Sequence, residues 1–238
     1  LIDPDSALDL EARRRGSSLY LAKGNLPMFP ECLATGPFSL RARTRTAAWS
    51  IWAELTSEGE LGDHGIQRSW VQPTYRLSYD DADELIELAP PEDTDLAELD
   101  ALLSRRRECR VRNGALLMDL PEGRIRCREG QPSLEVSEPG RSRQMVAEAM
   151  ILAGAVVARF AEVHDLALPF RSQLTAELPP RSELEALPDG AVRFAAIKRC
   201  LSRGLMGTQP SAHFSLGLAS YAQATSPIRR YGDLVVQR

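Results

Sequence analysis

No two of the four cysteines, Cys32, Cys109, Cys127 and Cys200, are spaced as a CxxC pair. A zinc site built on such pairs is therefore excluded. They read as reduced thiols, which places the protein in the cytoplasm. No stretch reaches the roughly 18 consecutive apolar residues that a membrane span requires. The best run, Met150 to Val157, is short and is followed by Arg159. There is no secretory signal at the start, no internal repeat and no low-complexity tract. An overall basic charge is missing too. The net charge of −4 rules out a protein coated in basic residues, yet the 29 Lys and Arg are clustered, as at Arg13 to Arg15, Arg105 to Arg107, and Arg229 with Arg230. Clustering of this kind allows a locally positive groove on an acidic chain.

What is present is ordinary for a globular protein: 238 residues, 43% of them apolar and 26% charged. That suffices for one large domain or part of a larger one. The chain begins at Leu1 and stops at Arg238 inside a predicted helix, so both ends read as truncated.

Leu8 to Gly16 is predicted to be a short helix, with Asp9 and Glu11 near its start and Arg13 to Arg15 near its end, as the helix dipole prefers. Lys23 to Pro37, marked by Pro and Gly, reads as a loop. Ala47, Trp49, Ile51, Ala53 and Leu55 alternate as one face of a strand that turns at Ser57 to Gly59 and returns over Ile66 to Val71. Trp49, Trp52 and Trp70 are expected to pack within this hairpin. Helices are predicted from Asp80 to Leu88, capped by Asp80 or Asp81, and from Leu96 to Arg110. A second hairpin is expected from Ala115 to Leu120 and Arg124 to Arg128, about a turn at Pro121 to Gly123, and Leu134 to Val136 is a possible added strand. The strongest helix is Arg143 to His164, with Val146, Met150, Ala153, Val157, Phe160 and Ala161 in helical register. Pro169 to Pro180 is extended. Short helices follow over Arg193 to Leu201 and from Gly232 onward. Hairpins followed by long helices indicate an α+β domain, a hairpin-rich sheet packed against long helices.

The chemistry concentrates near the end: His213-Phe214-Ser215-Leu216-Gly217-Leu218, Tyr221, then Thr225-Ser226-Pro227-Ile228-Arg229-Arg230-Tyr231-Gly232-Asp233. Pro227 fixes the backbone just before two guanidiniums, the side chains best shaped for bidentate phosphate contacts. Tyr221 and Tyr231 offer flat faces for bases. On spacing alone, a capped helix start with solvated arginines reads at least as well.

This segment resembles the signature of the ribonuclease II family, the RNB catalytic domain. Further blocks resemble that family in the same order: Ser6 to Tyr20 with Leu21, Pro27 to Pro30 with Ser39 and Leu40, Leu77 to Asp80, Glu148 to Ile151, and Pro169 to Arg171. Together they cover nearly the whole chain, which reads as a partial RNB domain over 1–238 without the OB-type RNA-binding domain typical of the family. The resemblance implies a 3′→5′ exoribonuclease that threads single-stranded RNA and releases nucleoside 5′-monophosphates by metal-assisted hydrolysis. It implies that Arg229 contacts phosphate at the active centre, that Tyr20 stacks on terminal bases, and that Arg171, Tyr221, Arg230 and Tyr231 contact RNA. Glu148 and His213 are possible supporting residues; a buried acid paired to an arginine and a hydrogen-bonding structural histidine are the plainer readings of these two.

Two departures follow. Magnesium in this family is held by aspartates upstream of the block that opens the chain, so its ligands are expected before Leu1 and none within 1–238. Asp3 and Asp5 lie in the wrong block. Asp80, Asp81 and Asp83 sit at a predicted helix start, where carboxylates are favoured without a metal. Gly154 stands where the family usually has Asn. A noncatalytic RNA-binding or regulatory relative is the alternative reading, with protein partners unknown and no membrane role.

Overall fold

The computed structural model describes residues 2–117, 119–128 and 130–238, the side chain of Arg128 aside. The first helix, α1 (Ala7–Arg15), starts where the Ser6 hydroxyl accepts the Asp9 N–H. It stops at Gly16, whose φ of 69° suits glycine. A small hairpin follows, β1 (Leu19–Leu21) with β2 (Gly24–Leu26), and then one helical turn, α2 (Glu31–Ala34). The stretch 23–37 was expected to be a loop. It holds a strand, β2, and a turn of helix, α2, whose start Pro30 favours by presetting the backbone directly before it.

The long hairpin pairs β3 (Thr46–Leu55) with β4 (Leu61–Val71), Trp49 opposite Arg68 and Ile51 opposite Ile66. Of the three tryptophans, Trp52 packs within the hairpin as expected, while Trp49 and Trp70 stand on its open face beneath arginines. Trp49, Trp52 and Trp70 are 39%, 41% and 63% exposed. Trp52 lies over Gly65, where a Cβ would press into its indole.

Helix α3 (Tyr79–Leu88) is capped by Ser78, not by an aspartate. The Ser78 hydroxyl accepts the Asp81 N–H, and the Asp81 carboxylate accepts the Ser78 N–H. It leads to α4 (Thr94–Arg112). The next hairpin lies further along the chain than expected: β5 (Glu122–Arg128) pairs with β6 (Gln131–Ser137). Residues 115–117 and 119–120 are not in a strand, and Met118 lies outside the described residues. Two glycines compete to mark the turn. Gly130, at φ 81°, occupies the left-handed region that a two-residue hairpin turn requires, whereas Gly123 sits within β5.

Helix α5 (Arg141–Val163) has 23 residues and spans roughly 34 Å. Beyond it, β7 (Phe170–Ser172) pairs with β8 (Leu205–Gly207) across α6 (Arg181–Ala186) and α7 (Ala191–Cys200). A 3-10 turn at Phe214–Leu216 and α8 (Tyr231–Val236) complete the described elements.

The class is α+β. Its described strands form four separate two-stranded antiparallel sheets. Because each hairpin alone is too small to be stable, the helices supply the core, and α5 is its spine. Near its start, Met145 packs with Ile86 and Leu103. Near its end, Val157, Ala158 and Ala161 pack with Phe170, Ala222 and Ala224, and Ile51 and Ile66 of the long hairpin close over them. A third cluster joins Ala12, Met28 and Phe29 to Ile228, Tyr231 and Leu234. It brings the two ends of the chain together. Among the described residues no helix is long and apolar enough to cross a membrane.

Candidate functional site

Asp233, in the first turn of α8, organises the arginine segment. It is 1% exposed. Its carboxylate accepts the Ser226 N–H at 2.8 Å and the Arg230 Nε and Nη2 donors at 2.9 and 2.7 Å. A buried carboxylate with three charge-assisted or backbone donors is a rigid anchor. Arg230 is thereby committed to the loop. Arg229 is not. It is exposed, and among the described residues its guanidinium has no hydrogen bond or ion pair. Its backbone is fixed from both sides: Arg229 N–H donates to the Ser226 carbonyl, and the Arg229 carbonyl accepts the Ser18 N–H at 3.0 Å.

That last bond places the block 16–20 alongside 229–231. Ser17 bridges Arg230, and the Tyr231 N–H donates to the Gly16 carbonyl at 2.8 Å. Tyr20 follows on β1, opposite Asn25 and 62% exposed. The structure thus joins the segments that carry two predicted site residues, Tyr20 in β1 and Arg229 in the turn before α8, and leaves both side chains uncommitted.

Tyr231 is engaged elsewhere. Its hydroxyl donates to Asp9 at 3.0 Å, its ring packs in the cluster with Ala12 and Phe29, and Arg238 lies over it. Arg238 also pairs with Asp9 and holds that carboxyl below its usual range.

A second group gathers where α5 passes β7. The Tyr221 ring lies against Gly154, where a Cβ would overlap it, and the Ala222 N–H donates to the Gly154 carbonyl. Burial pushes the Tyr221 phenol up. The glycine at this departure from the family pattern therefore makes room for a tyrosine. His213 meets Tyr221 edge-on at 5.9 Å. Burial holds its imidazole below the ordinary value, with nearby Arg171 adding to the effect. Arg171 donates through Nε and Nη2 to Gln223 Oε1 at 3.2 and 3.1 Å.

Glu148 sits at a third point. Its carboxylate meets Arg110 in a bidentate pair at 2.8 and 2.5 Å, the side chains 2% and 5% exposed. Arg110 Nη1 also reaches the Leu216 carbonyl at 2.9 Å. One guanidinium so ties α4, α5 and the 3-10 turn before Tyr221. Arg110, Asp9 and Asp233 were not anticipated from the sequence. The signal for Arg110 was indirect: an acid on the buried face of α5 needs a cation, but many arginines could have supplied it.

The aspartates of α3 have structural duties. Asp81 completes the cap, and Asp83 accepts the Ser142 N–H at 2.7 Å. Among the described residues no group of three or more His, Cys, Asp or Glu is placed to hold a metal ion.

The chain matches the RNB domain over residues 1–238. It is 45% identical over 236 residues to an uncharacterized ribonuclease of Synechocystis, covering 99% of this chain and 35% of that protein. It is 35% identical over 240 residues to the chloroplastic/mitochondrial ribonuclease II of Arabidopsis thaliana, covering 98% and 30%. Its fold is similar to Mycoplasma genitalium RNase R in complex with ribose methylated single-stranded RNA, with a TM-score of 0.88, 20% identity, and coverage of 100% and 43%. The chain spans about a third of the length of these two sequence relatives. With the match running from the first residue to the last and the same fold in a solved RNase R, this chain belongs to the RNB family, whose members include the RNase II and RNase R exoribonucleases.

Proposed function

We propose that the chain is part of the catalytic domain of a cytoplasmic 3′→5′ exoribonuclease that hydrolyses single-stranded RNA to nucleoside 5′-monophosphates. One observation carries this reading: Arg229, with a free guanidinium, has its backbone bonded to Ser18, two residues before the exposed ring of Tyr20, so that two family blocks are joined. Phosphate needs a planar, permanently charged fork, and a base needs an open aromatic face.

In this reading Arg229 meets the non-bridging oxygens of the scissile phosphate. Negative charge grows there as the bond breaks, so the contact strengthens toward the transition state. Tyr20 stacks on a terminal base and sets the strand's position. Arg230, fixed on Asp233, holds the loop that presents Arg229. Arg171, Tyr221 and Tyr231 support the walls, as do Glu148 and His213. RNB enzymes use metal-assisted hydrolysis. The described residues here do not fit a metal site, so magnesium would be held by residues beyond those described, and the roles of this chain are binding and positioning.

The test uses the full-length protein with magnesium and 5′-labelled single-stranded RNA. Arg229→Ala should lower kcat by about 10²-fold or more, as losing one transition-state donor does. Arg230→Ala should act on binding or folding. Single-turnover rates that fall equally for both variants contradict the assignment. The 238-residue chain alone should hydrolyse RNA very poorly; robust metal-dependent degradation by it would remove the need for ligands elsewhere.

A further inference from the structure

The hairpin β3–β4 has one face of two characters. At Ile51 and Ile66 that face is covered by α5. Strand alternation carries the same face onward through Trp49 and Arg68, then Ala47 and Trp70, then Arg45, and there it is open. Arg68 lies over the Trp49 ring at 5.2 Å and Arg45 over the Trp70 ring at 4.9 Å. An exposed indole under an arginine is an unusual way to finish a sheet, since large aromatics gain most from being buried.

The charge around it is equally one-sided. From Cys32 to Ala53 and from His64 to Tyr79 the sequence has no Asp or Glu, yet it holds Arg41, Arg43, Arg45, Arg68 and Arg76. All five are exposed, and among the described residues none forms an ion pair with a carboxylate. Two acids approach this end at Tyr75, which also lies close to Arg43: Asp93, which accepts the Tyr75 hydroxyl, and Glu92. The acids of the hairpin, Glu54, Glu58, Glu60 and Asp63, are confined to its far tip. On a chain of net charge −4, five unpaired cations in one place create a local positive field.

We propose that this open face is a second contact surface for single-stranded RNA, separate from the Tyr20–Arg229 site. Sequence-tolerant binders of single strands combine the same two elements, flat aromatic faces for bases and cations for the backbone. A guanidinium stacked on an indole uses its face for the ring and keeps its N–H fork in plane at the rim, free for a phosphate. The hairpin also shares its core cluster with Ala222, Ala224 and Val236, which flank the arginine segment. A strand whose 3′ end is at Arg229 would then leave more distant nucleotides to this face. The inference rests on RNA being the substrate.

The experiment measures binding of a short and a long fluorescent oligo(A) to the full-length protein without added metal. It compares wild type with Trp49→Ala/Trp70→Ala and with Arg68→Glu. The double alanine variant should weaken the long oligomer by roughly tenfold or more, within the range for losing a stacked base. The short oligomer, held at the Tyr20–Arg229 site alone, should bind as in wild type, which also shows that the variant is folded. Arg68→Glu should weaken the long oligomer and flatten its salt dependence. Hydroxyl-radical footprinting should show Trp70 reactive in the free protein and protected by the long oligomer. Equal affinity of variant and wild type for the long oligomer overturns the proposal while leaving the active-centre reading intact. So does a Trp70 already protected in the free protein, which would mean that another segment or a protein partner covers the face. If wild type binds neither oligomer, the RNA reading and this inference fail together.

Discussion

Tyr20 stands on a three-residue strand with its ring open to solvent, opposite Asn25. Nothing in the packing explains an aromatic there. Stacking on a base is worth roughly 1–3 kcal/mol, and that matters most when the RNA is short and few other bases hold it. Tyr20→Ala in the full-length protein should therefore release longer final oligonucleotides while still degrading long substrates. Tyr20→Phe should resemble wild type, because the ring does the stacking. End-product lengths on poly(A) decide this; identical products for Tyr20→Ala and wild type would leave Tyr20 a plain surface residue. His213 gives a second test, of stability. Its folded pKa is depressed by burial below 6.5, its unfolded value. The unfolded chain thus takes up a proton that the native state refuses. Stability is full above about pH 6.5 and declines as pH falls from there toward the folded pKa. Replacing His213 with Gln should flatten that part of the curve in urea titrations. An unchanged slope would mean the imidazole is not the group responsible.

Among the elements, α5 carries the most. Its regular apolar spacing made it legible in the sequence, and the charge pattern of α1 and the alternation of β3 did the same for those elements. What the pattern did not reveal is what the polar residue inside it binds. Glu148 and Arg110 lie 38 residues apart in the chain, on different helices, and no local rule selects Arg110 over Arg105, Arg106 or Arg107. The pair should behave as a buried unit. Removing one partner, as in Glu148→Leu or Arg110→Met, leaves an uncompensated buried charge and should cost about 3–5 kcal/mol. The double variant should cost clearly less than the two single losses added. Denaturant midpoints for the four proteins test it, and simple additivity would show that the two side chains are not coupled. The β5–β6 hairpin was misplaced for a related reason. Gly123 follows Pro121 and looks like a turn, but the left-handed position falls at Gly130, and composition alone does not choose between two glycines. Helix α6 begins immediately after two prolines, where the predicted extended segment ends, since proline also suits the start of a helix.

For the molecule as a whole, the candidate site residues could be named from the sequence, and their supports could not. Tyr20, Arg229 and Arg230 could be named from short motifs. Asp233 could not be given its role, because that depends on the loop folding back onto it. Nor could Asp9, whose partners Tyr231 and Arg238 lie 222 and 229 residues away. This closure between the two ends of the sequence has a consequence in time. Ribosomes add about 5–20 residues per second, so the carboxylate of Asp9 emerges on the order of 10–50 s before the groups that satisfy it. Tyr20 emerges equally early, and Arg229 equally late. For as long as the intervening residues take to be translated, the Tyr20 segment is present without the Arg229 segment that it pairs with. The joint between the Tyr20 and Arg229 segments is therefore made only after all the chain between them has been translated, and it cannot guide the folding of what comes before.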